Sequence, residues 1–531
     1  MGLFKGNKKE KKHGLRQEEI SEEDLIGLLK VKRWRLPEGY AEVETYALKP
    51  PFSYACIAQN EDTAEYLYIV DELPLTKEEK EAFERMRNIL EYELKAPEPD
   101  ETLKESFHRQ IPEIMDAHKK VLEEISPIGI RKILYYLERD MVGYGKIDPL
   151  MFDPNVEDIS CSGVNKPIYL WHRKYENIKT NLLFRDEEEL NDFVLKIVHR
   201  VGKHVSIAFP IVDVTLPGKH RLAVSFGRET TPAGTSFTIR KFREDPFTII
   251  DLIGNETLNE TIAAYLWLLM EMKMSVMIVG ATGAGKTTAL NAIACLTKPN
   301  CKIISVEEVA EINLPHENWT STIARSGFGP ESEGEITLYD LIKAAVRHRP
   351  DYIIVGEIRG EEAYVLFQAL ATGHGGLCTM HADGVETAIK RLTQPPMNIP
   401  SSVIPLMNCM IVVKHVRKPI FLEDGRKLSS RKFIKVVEIE DVNNIHEVFT
   451  WNPSNDFFQA KLDESYLLDK IAEELDISLD VLLNELERRK EILLEMVEHN
   501  IRDFKSVNKA LSRYYQNPRL LRQEFFEKEG W

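Results

Sequence analysis

The sequence has no cysteines at C-x-x-C spacing and no Cys/His grouping at zinc-ligand spacing, its six cysteines standing at 56, 161, 295, 301, 378 and 409. This excludes a zinc ribbon and a dithiol redox motif, and in a chain of 531 residues it argues for a reducing cytosol rather than a disulfide framework. Long hydrophobic runs are missing too. The longest strongly apolar stretch, Ile262 to Met270, is followed by Glu271 and Lys273 and reaches about half of the ~20 residues a bilayer-spanning helix needs. The first residues, MGLFKGNKKEKKHGLR, are basic but lack a signal peptide's apolar core, and Gly6 stands where a myristoylation signal needs Ser or Thr. That tail reads as a flexible solvated segment or as a weak dock for an anionic membrane surface or an acidic partner. Positive charge is in deficit, 69 Lys and Arg against 85 Asp and Glu for a net −16, which argues against a protein that coats nucleic acid. The guanine-reading N-K-x-D pattern is absent: Asn7-Lys8, Asn165-Lys166 and Asn508-Lys509 all lack the Asp. Internal repeats are absent as well.

What is present is the composition of a globular protein, 43% hydrophobic and 29% charged, long enough for three or four units at roughly 100–200 residues each. Residues 1–126 read as a mobile, mostly helical module with a basic tail, its acidic helices at Lys77–Leu94 and Thr102–Ile125 separated by Ala96-Pro97-Glu98-Pro99-Asp100. Residues 127–245 alternate a helix, Glu187–Val201, with short strands such as Ile211–Leu216, Arg221–Phe226 and Ser236–Arg240, which suggests a compact α+β domain. After a linker at 246–257, strands and helices alternate through 258–415, the pattern of a parallel sheet with both faces covered. The remainder, 416–531, reads as a hairpin followed by helices.

Within the alternating region, Gly280-Ala281-Thr282-Gly283-Ala284-Gly285-Lys286-Thr287-Thr288 follows the apolar strand Ser275–Val279 and opens a helix. It matches G-x-x-x-x-G-K-[ST] in the context the motif requires. Its glycines let successive backbone N–H groups face phosphate oxygens while the helix N-terminus adds its dipole. Lys286 then neutralises the β- and γ-phosphates and the Thr287 hydroxyl ligates Mg²⁺. Asp351-Tyr352-Ile353-Ile354-Val355-Gly356-Glu357 is an apolar strand that delivers a carboxylate at its C-terminal end, where parallel sheets hold ligands. Glu357 is placed to hold a Mg²⁺-bound water or to polarise the attacking one. Ile303-Ile304-Ser305-Val306-Glu307-Glu308, with Glu311 a turn later, is a second strand ending in carboxylates; Glu307 is the first candidate for orienting water and Glu308 the second. Gly373-His374-Gly375-Gly376-Leu377-Cys378-Thr379-Met380-His381 offers either a tight turn with a satisfied histidine or, in His381, a sensor of the γ-phosphate.

GATGAGKTT, IISVEEVAEI, DYIIVGEIRGEEA and GHGGLCTMHAD, in that order and spacing, resemble the Walker A, Asp, Walker B and His boxes of the secretion-superfamily ATPases. These are the type II secretion and type IV pilus motors, their conjugation relatives and the archaellum motor. The resemblance runs over about 127–455, and GEIRGEEA, the helical tail and the acidic front look like the archaeal branch. It implies an α/β fold: a RecA-like P-loop motor core with a preceding PAS-like α+β domain, a helical N-terminal module and a helical C-terminal tail. It also implies a homo-hexamer in the cytosol that uses ATP and Mg²⁺, docks on a polytopic membrane platform protein, and adds or extracts pilin-like subunits. Arg221 in LPGKHR and Arg240 in FTIR match the arginines that the N-terminal domain of such rings sends to the γ-phosphate. Two features depart from the bacterial pattern: no four-cysteine zinc element follows the core, and Glu308 stands where Asp is usual. The archaellum motor is the alternative within this class, a nucleic-acid translocase one outside it, and a nucleotide-sensing scaffold without turnover a third. Direct nucleic-acid binding is not expected.

Overall fold

The computed structural model describes residues 36–242, 245–325, 334–416, 431–517 and 521. The basic N-terminal tail therefore lies outside the described residues. The chain forms two compact units, divided between residues 242 and 243.

The first unit begins with three strands, β1 (Tyr40–Lys49), β2 (Ser53–Asn60) and β3 (Tyr66–Glu72), and continues with helices α1 (Lys77–Glu93), α2 (Leu103–Ala117), α3 (Pro127–Met141) and the short α4 (Asp148–Phe152). Strands β4 (Val156–Cys161), β5 (Pro167–His172) and β6 (Glu176–Leu183), helix α5 (Glu187–Arg200), and β7 (Ile211–Thr215), β8 (Arg221–Ser225) and β9 (Ser236–Arg240) complete it. The strands make one nine-stranded sheet in the order β1-β2-β3-β6-β5-β4-β9-β8-β7. Its β3–β6 pair is parallel, with Leu67 opposite Lys179 and Tyr68 opposite Thr180.

This corrects the expectation of a separate, mostly helical front module at 1–126. Helices α1 and α2 are present, each started by a threonine capping box, Thr76 with Glu79 and Thr102 with Glu105. The strands ahead of them, however, belong to the same sheet as the α+β region. Asp153 ties the two parts together. It is fully buried and accepts hydrogen bonds from Tyr46 Oη at 2.6 Å, Tyr68 Oη at 2.7 Å and Asn155 N at 2.8 Å. A buried carboxylate is retained only when such donors replace its water. Burial and the adjacent Asp153 charge both push the two tyrosine hydroxyls well above their usual pKa.

The second unit opens with α6 (Ile249–Gly254), so the expected linker at 246–257 is a core element, with Ile249, Ile250, Leu252 and Ile253 buried. Next come α7 (Glu260–Glu271), β10 (Val276–Gly280), α8 (Lys286–Ala294), β11 (Ile303–Glu307), β12 (Trp319–Ile323), α9 (Leu338–Arg347), β13 (Tyr352–Val355) and α10 (Glu362–Ala371). Strand β14 (Gly375–His381), α11 (Val385–Thr393), the strands β15 (Cys409–His415), β16 (Arg431–Ile439), β17 (Ile445–Asn452) and β18 (Phe457–Ala460), and helices α12 (Tyr466–Leu475), α13 (Leu479–Glu498) and α14 (Phe504–Gln516) follow. The sheet order is β12-β11-β13-β14-β10-β15-β16-β17-β18. It is parallel from β12 to β15 and antiparallel beyond.

Alternation along β10 explains why the central strand reads as continuously apolar. Val276 and Ile278 enter a core shared with α7, α8 and the C-terminal helices, whereas Met277 and Val279 enter a second core with α9 and α10. The C-terminal region is thus part of the motor-sized unit rather than an appended tail. Arg489 of α13, 3% exposed, pairs with Glu271, bonds Glu485 at 2.9 Å and lies 4.9 Å from the centre of the Trp267 ring, fastening α13 to α7. No described helix is long and apolar enough to cross a membrane.

Replacing Asp153 by Ala would leave buried hydroxyls without their acceptor. We expect Asp153→Ala to destabilise the first unit by about 2–4 kcal/mol, read as a lower urea midpoint for its transition; an unchanged midpoint would show that the front strands do not depend on this carboxylate.

Candidate functional site

The site is built where β10 leaves the centre of the second sheet. At Gly280 a Cβ would lie 2.5 Å from the Val413 carbonyl oxygen of the neighbouring strand, so only glycine lets the chain turn out there. The loop then passes Ala281, Thr282 and Gly283 at the surface and buries Ala284. It enters α8 through Gly285, whose φ of 93° is open to glycine at little cost. Lys286, Thr287 and Thr288 form the first turn of α8 and are half-buried, the position from which a helix N-terminus presents N–H groups and its dipole to an anion.

Lys286 Nζ donates to the Ala281 carbonyl at 3.2 Å. Desolvation lowers its pKa, and the Glu357 and Glu311 carboxylates oppose that shift. Those two side chains, both exposed, are therefore the acids in the field of the loop lysine. Glu357 follows the fully buried β13 through Gly356, whose carbonyl accepts from Thr379 Oγ1 at 2.7 Å.

Glu307, the first candidate for orienting water, lies inside the fold. It is 2% exposed, and its Oε1 accepts the backbone N–H groups of Glu311 and Ile312, each at 2.8 Å. The carboxylate thus holds the turn after β11, and that turn is also pinned to α8 by Asn313 N donating to Asn291 Oδ1 at 3.0 Å. What the turn delivers towards Lys286 is Glu311. Glu308, the second candidate, is exposed and ion-paired with Arg359.

His381 ends β14 directly opposite Gly280 in the parallel register, with Nδ1 3.5 Å from Thr282 Oγ1. His374, by contrast, closes the preceding turn with Nδ1 near Thr372 Oγ1 at 3.0 Å and the Ala369 carbonyl at 3.1 Å. Arg431, the first residue of β16, brings a guanidinium that sequence reasoning missed. Its Nε donates to the Gly283 carbonyl at 3.3 Å, and its Cδ lies 3.0 Å from where a Gly285 Cβ would sit. Residues Gly280 to Thr288, Glu311, Glu357 and His381 are thus gathered at one edge of the second sheet. Arg221 and Arg240 lie in the first unit, directly opposite each other on β8 and β9.

The residues fit a nucleoside polyphosphate with a magnesium ion. The glycine loop has room at Gly283, where an added Cβ meets nothing within 4 Å, and the available donors, a threonine hydroxyl and carboxylates, are hard oxygens. No group of three or more His, Cys, Asp or Glu able to hold a metal occurs among the described residues.

The chain is similar to several known proteins. Residues 145–431 match the family model described as type II/IV secretion system protein. An uncharacterized protein of Methanocaldococcus jannaschii is 39% identical over 403 residues, covering 74% of this chain and 71% of its own length. A putative conjugal transfer protein of Mycobacterium tuberculosis is 30% identical over 257 residues, or 47% of this chain and 72% of that protein. Among solved structures, the Legionella pneumophila ATPase DotB matches 70% of this chain and 92% of its own at 16% identity and a TM-score of 0.39. The Brucella suis VirB11 ATPase matches 54% and 89% at 21% identity and a TM-score of 0.27. With more than half its length matched by the family model and a relative of this identity along most of both chains, the chain belongs to the type II/IV secretion system protein family.

Proposed function

We propose that this protein is a Mg²⁺-dependent ATPase that works as a hexameric ring, docks on a membrane platform protein and powers assembly or secretion of pilin-like subunits in an archaeal type II secretion or type IV pilus system. The observation that carries the ATPase reading is Lys286 at the start of α8, behind a glycine loop and within the field of Glu357 and Glu311. Membership of the type II/IV secretion system protein family and similarity to a putative conjugal transfer protein support the coupling to a transport machine.

In this reading the loop amides and Lys286 hold the β- and γ-phosphates, and Thr287 with Glu357 would hold Mg²⁺, Glu357 directly or through water. The ion would neutralise the charge that builds on the phosphates during transfer. Glu311 takes the task of orienting the attacking water, the role first assigned to Glu307, because Glu307 is committed to the backbone of the turn. His381 touches the loop at Thr282 and is placed to sense the γ-phosphate. Arg221 and Arg240 add positive charge as transferring charge develops, and a guanidinium does this with a fixed fork of donors.

Lys286→Ala is expected to abolish phosphate release from ATP while leaving the melting temperature unchanged; turnover at the wild-type rate would overturn the ATPase assignment. Glu311→Gln and Glu307→Gln separate the two carboxylates. Glu311→Gln should keep nucleotide affinity and lower kcat about 10²–10⁴-fold, the span of a lost general base. Glu307→Gln should lower thermal stability as well, because it weakens the two hydrogen bonds that shape the turn. The opposite pattern, with Glu307→Gln stable and inactive and Glu311→Gln active, would restore Glu307 as the water-orienting group.

A further inference from the structure

Past Thr288, helix α8 consists of Ala289, Leu290, Asn291, Ala292, Ile293 and Ala294, all buried, and Asn291 alone among them has a polar side chain. Asparagine is a weak helix former, and its amide gives up water on burial. At 3% exposure its place in this helix needs a reason. One bond is visible: Oδ1 accepts the backbone N–H of Asn313 at 3.0 Å. Because the donor is an N–H, this bond also settles which end of the amide faces the turn. Nδ2 is left buried without a hydrogen-bond partner. A buried donor left unpaired costs at least as much as one neutral hydrogen bond contributes. Asn291 therefore adds little to stability at a position where Ala or Leu, its neighbours in the helix, would pack without that cost. Breaks of a local rule with no gain in stability gather at functional sites.

The segment that Asn291 holds is the one that carries Glu311. Glu307 binds the N–H groups of Glu311 and Ile312 from the β11 side, and Ile312 and Leu314 are buried. At the far end of the segment His316 Nε2 lies 2.9 Å from Thr297 Oγ1, just past the end of α8. The turn is thus rooted in β11 by a carboxylate and stitched to α8 by an amide. Asn291 stands five positions beyond Lys286, about 7.5 Å along the axis at 1.5 Å per residue. The helix that carries the loop lysine therefore also carries the group that holds the turn, and Glu311 of that turn is one of the two carboxylates acting on Lys286.

We propose that Asn291 is a positioning residue: it ties the turn after β11 to the phosphate-loop helix, so that Glu311 keeps a fixed place relative to the loop when water attacks the γ-phosphate. This rests on the ATPase reading above, with Glu311 as the water-orienting group, and extends it from the carboxylate to the buried amide that places it. A displacement of about 1 Å in such a group lowers a rate by up to about 10²-fold.

The test uses the full-length chain and reads kcat for phosphate release beside the dissociation constant of a non-hydrolysable ATP analogue. Asn291→Ala is expected to lower kcat about 10–10²-fold and to leave the affinity for the analogue unchanged. Asn291→Asp, which keeps an acceptor of the same reach, should recover part of that loss. In a Glu311→Gln background Asn291→Ala should lower kcat no further, since the amide acts through that carboxylate. The proposal is overturned by a wild-type kcat in Asn291→Ala, by kcat and affinity falling together, by no recovery in Asn291→Asp, or by an equal further loss in the Glu311→Gln background. If Asn291→Ala does not fold, Asn291→Ser takes its place, and loss of the fold in both marks a purely structural residue and overturns the proposal as well. Failure of the underlying reading looks different: wild-type protein would release no phosphate from ATP, or Glu311→Gln would turn over at the wild-type rate.

Discussion

The close approach of β15 to the end of β10 is the constraint on which the site depends. With the Val413 carbonyl where a Cβ at residue 280 would sit, the central strand ends in glycine and the chain leaves the sheet at that point. Everything downstream is positioned by that exit: the surface loop, the left-handed Gly285, and a lysine at the first position of α8. Because parallel neighbours flank β10 on both sides, the ends of β14, β13 and β11 lie in the same sheet and bring His381, Glu357 and the turn bearing Glu311 to one edge. The sheet thus converts four stretches separated along the chain into one electrostatic unit. In it desolvation lowers the pKa of the half-buried Lys286, and two carboxylates oppose that shift.

The motifs of this edge were legible in the sequence because each has a local signature: an apolar strand followed by a glycine loop, a carboxylate or a histidine. The strand over Tyr352–Val355 was readable because four apolar residues fill it ahead of the carboxylate. The different placement of Glu307 and Glu311 was not legible. Spacing places both near the end of β11, but only the fold shows which one turns inward to satisfy the N–H groups of the following turn. Arg431 was equally hidden. It reaches the loop from an antiparallel strand 148 residues further on, and no local pattern marks such a return.

The front strands were misread for a related reason. Tyr40–Lys49 mixes acidic with β-prone residues, and Pro50-Pro51 follows it directly. Such a segment has little strand signal until the rest of the sheet is present. The parallel pairing of β3 with β6 and the shared acceptor Asp153 supply what local periodicity lacks. The same holds at 246–257, where punctuation by Asp-Pro and Gly suggested a linker, yet four apolar residues in a six-residue helix place it in the core.

The ion pairs fall into two physical classes that differ in what they cost to break. Arg489 with Glu271 and Lys432 with Asp456 are buried pairs, the lysine at 0% exposure and bonded at 2.7 Å. Breaking a pair of this kind by removing one partner leaves an uncompensated charge and costs about 3–5 kcal/mol, so these contacts keep helices and strands fixed within the second unit. Arg221 with Asp213 and Arg240 with Asp158 are exposed pairs of the kind worth about 0–1 kcal/mol. Losing either would leave the fold of the first unit nearly as stable as before. Costly pairs thus stand where helices and strands of the second unit pack together, and inexpensive ones on an exposed row of the first sheet.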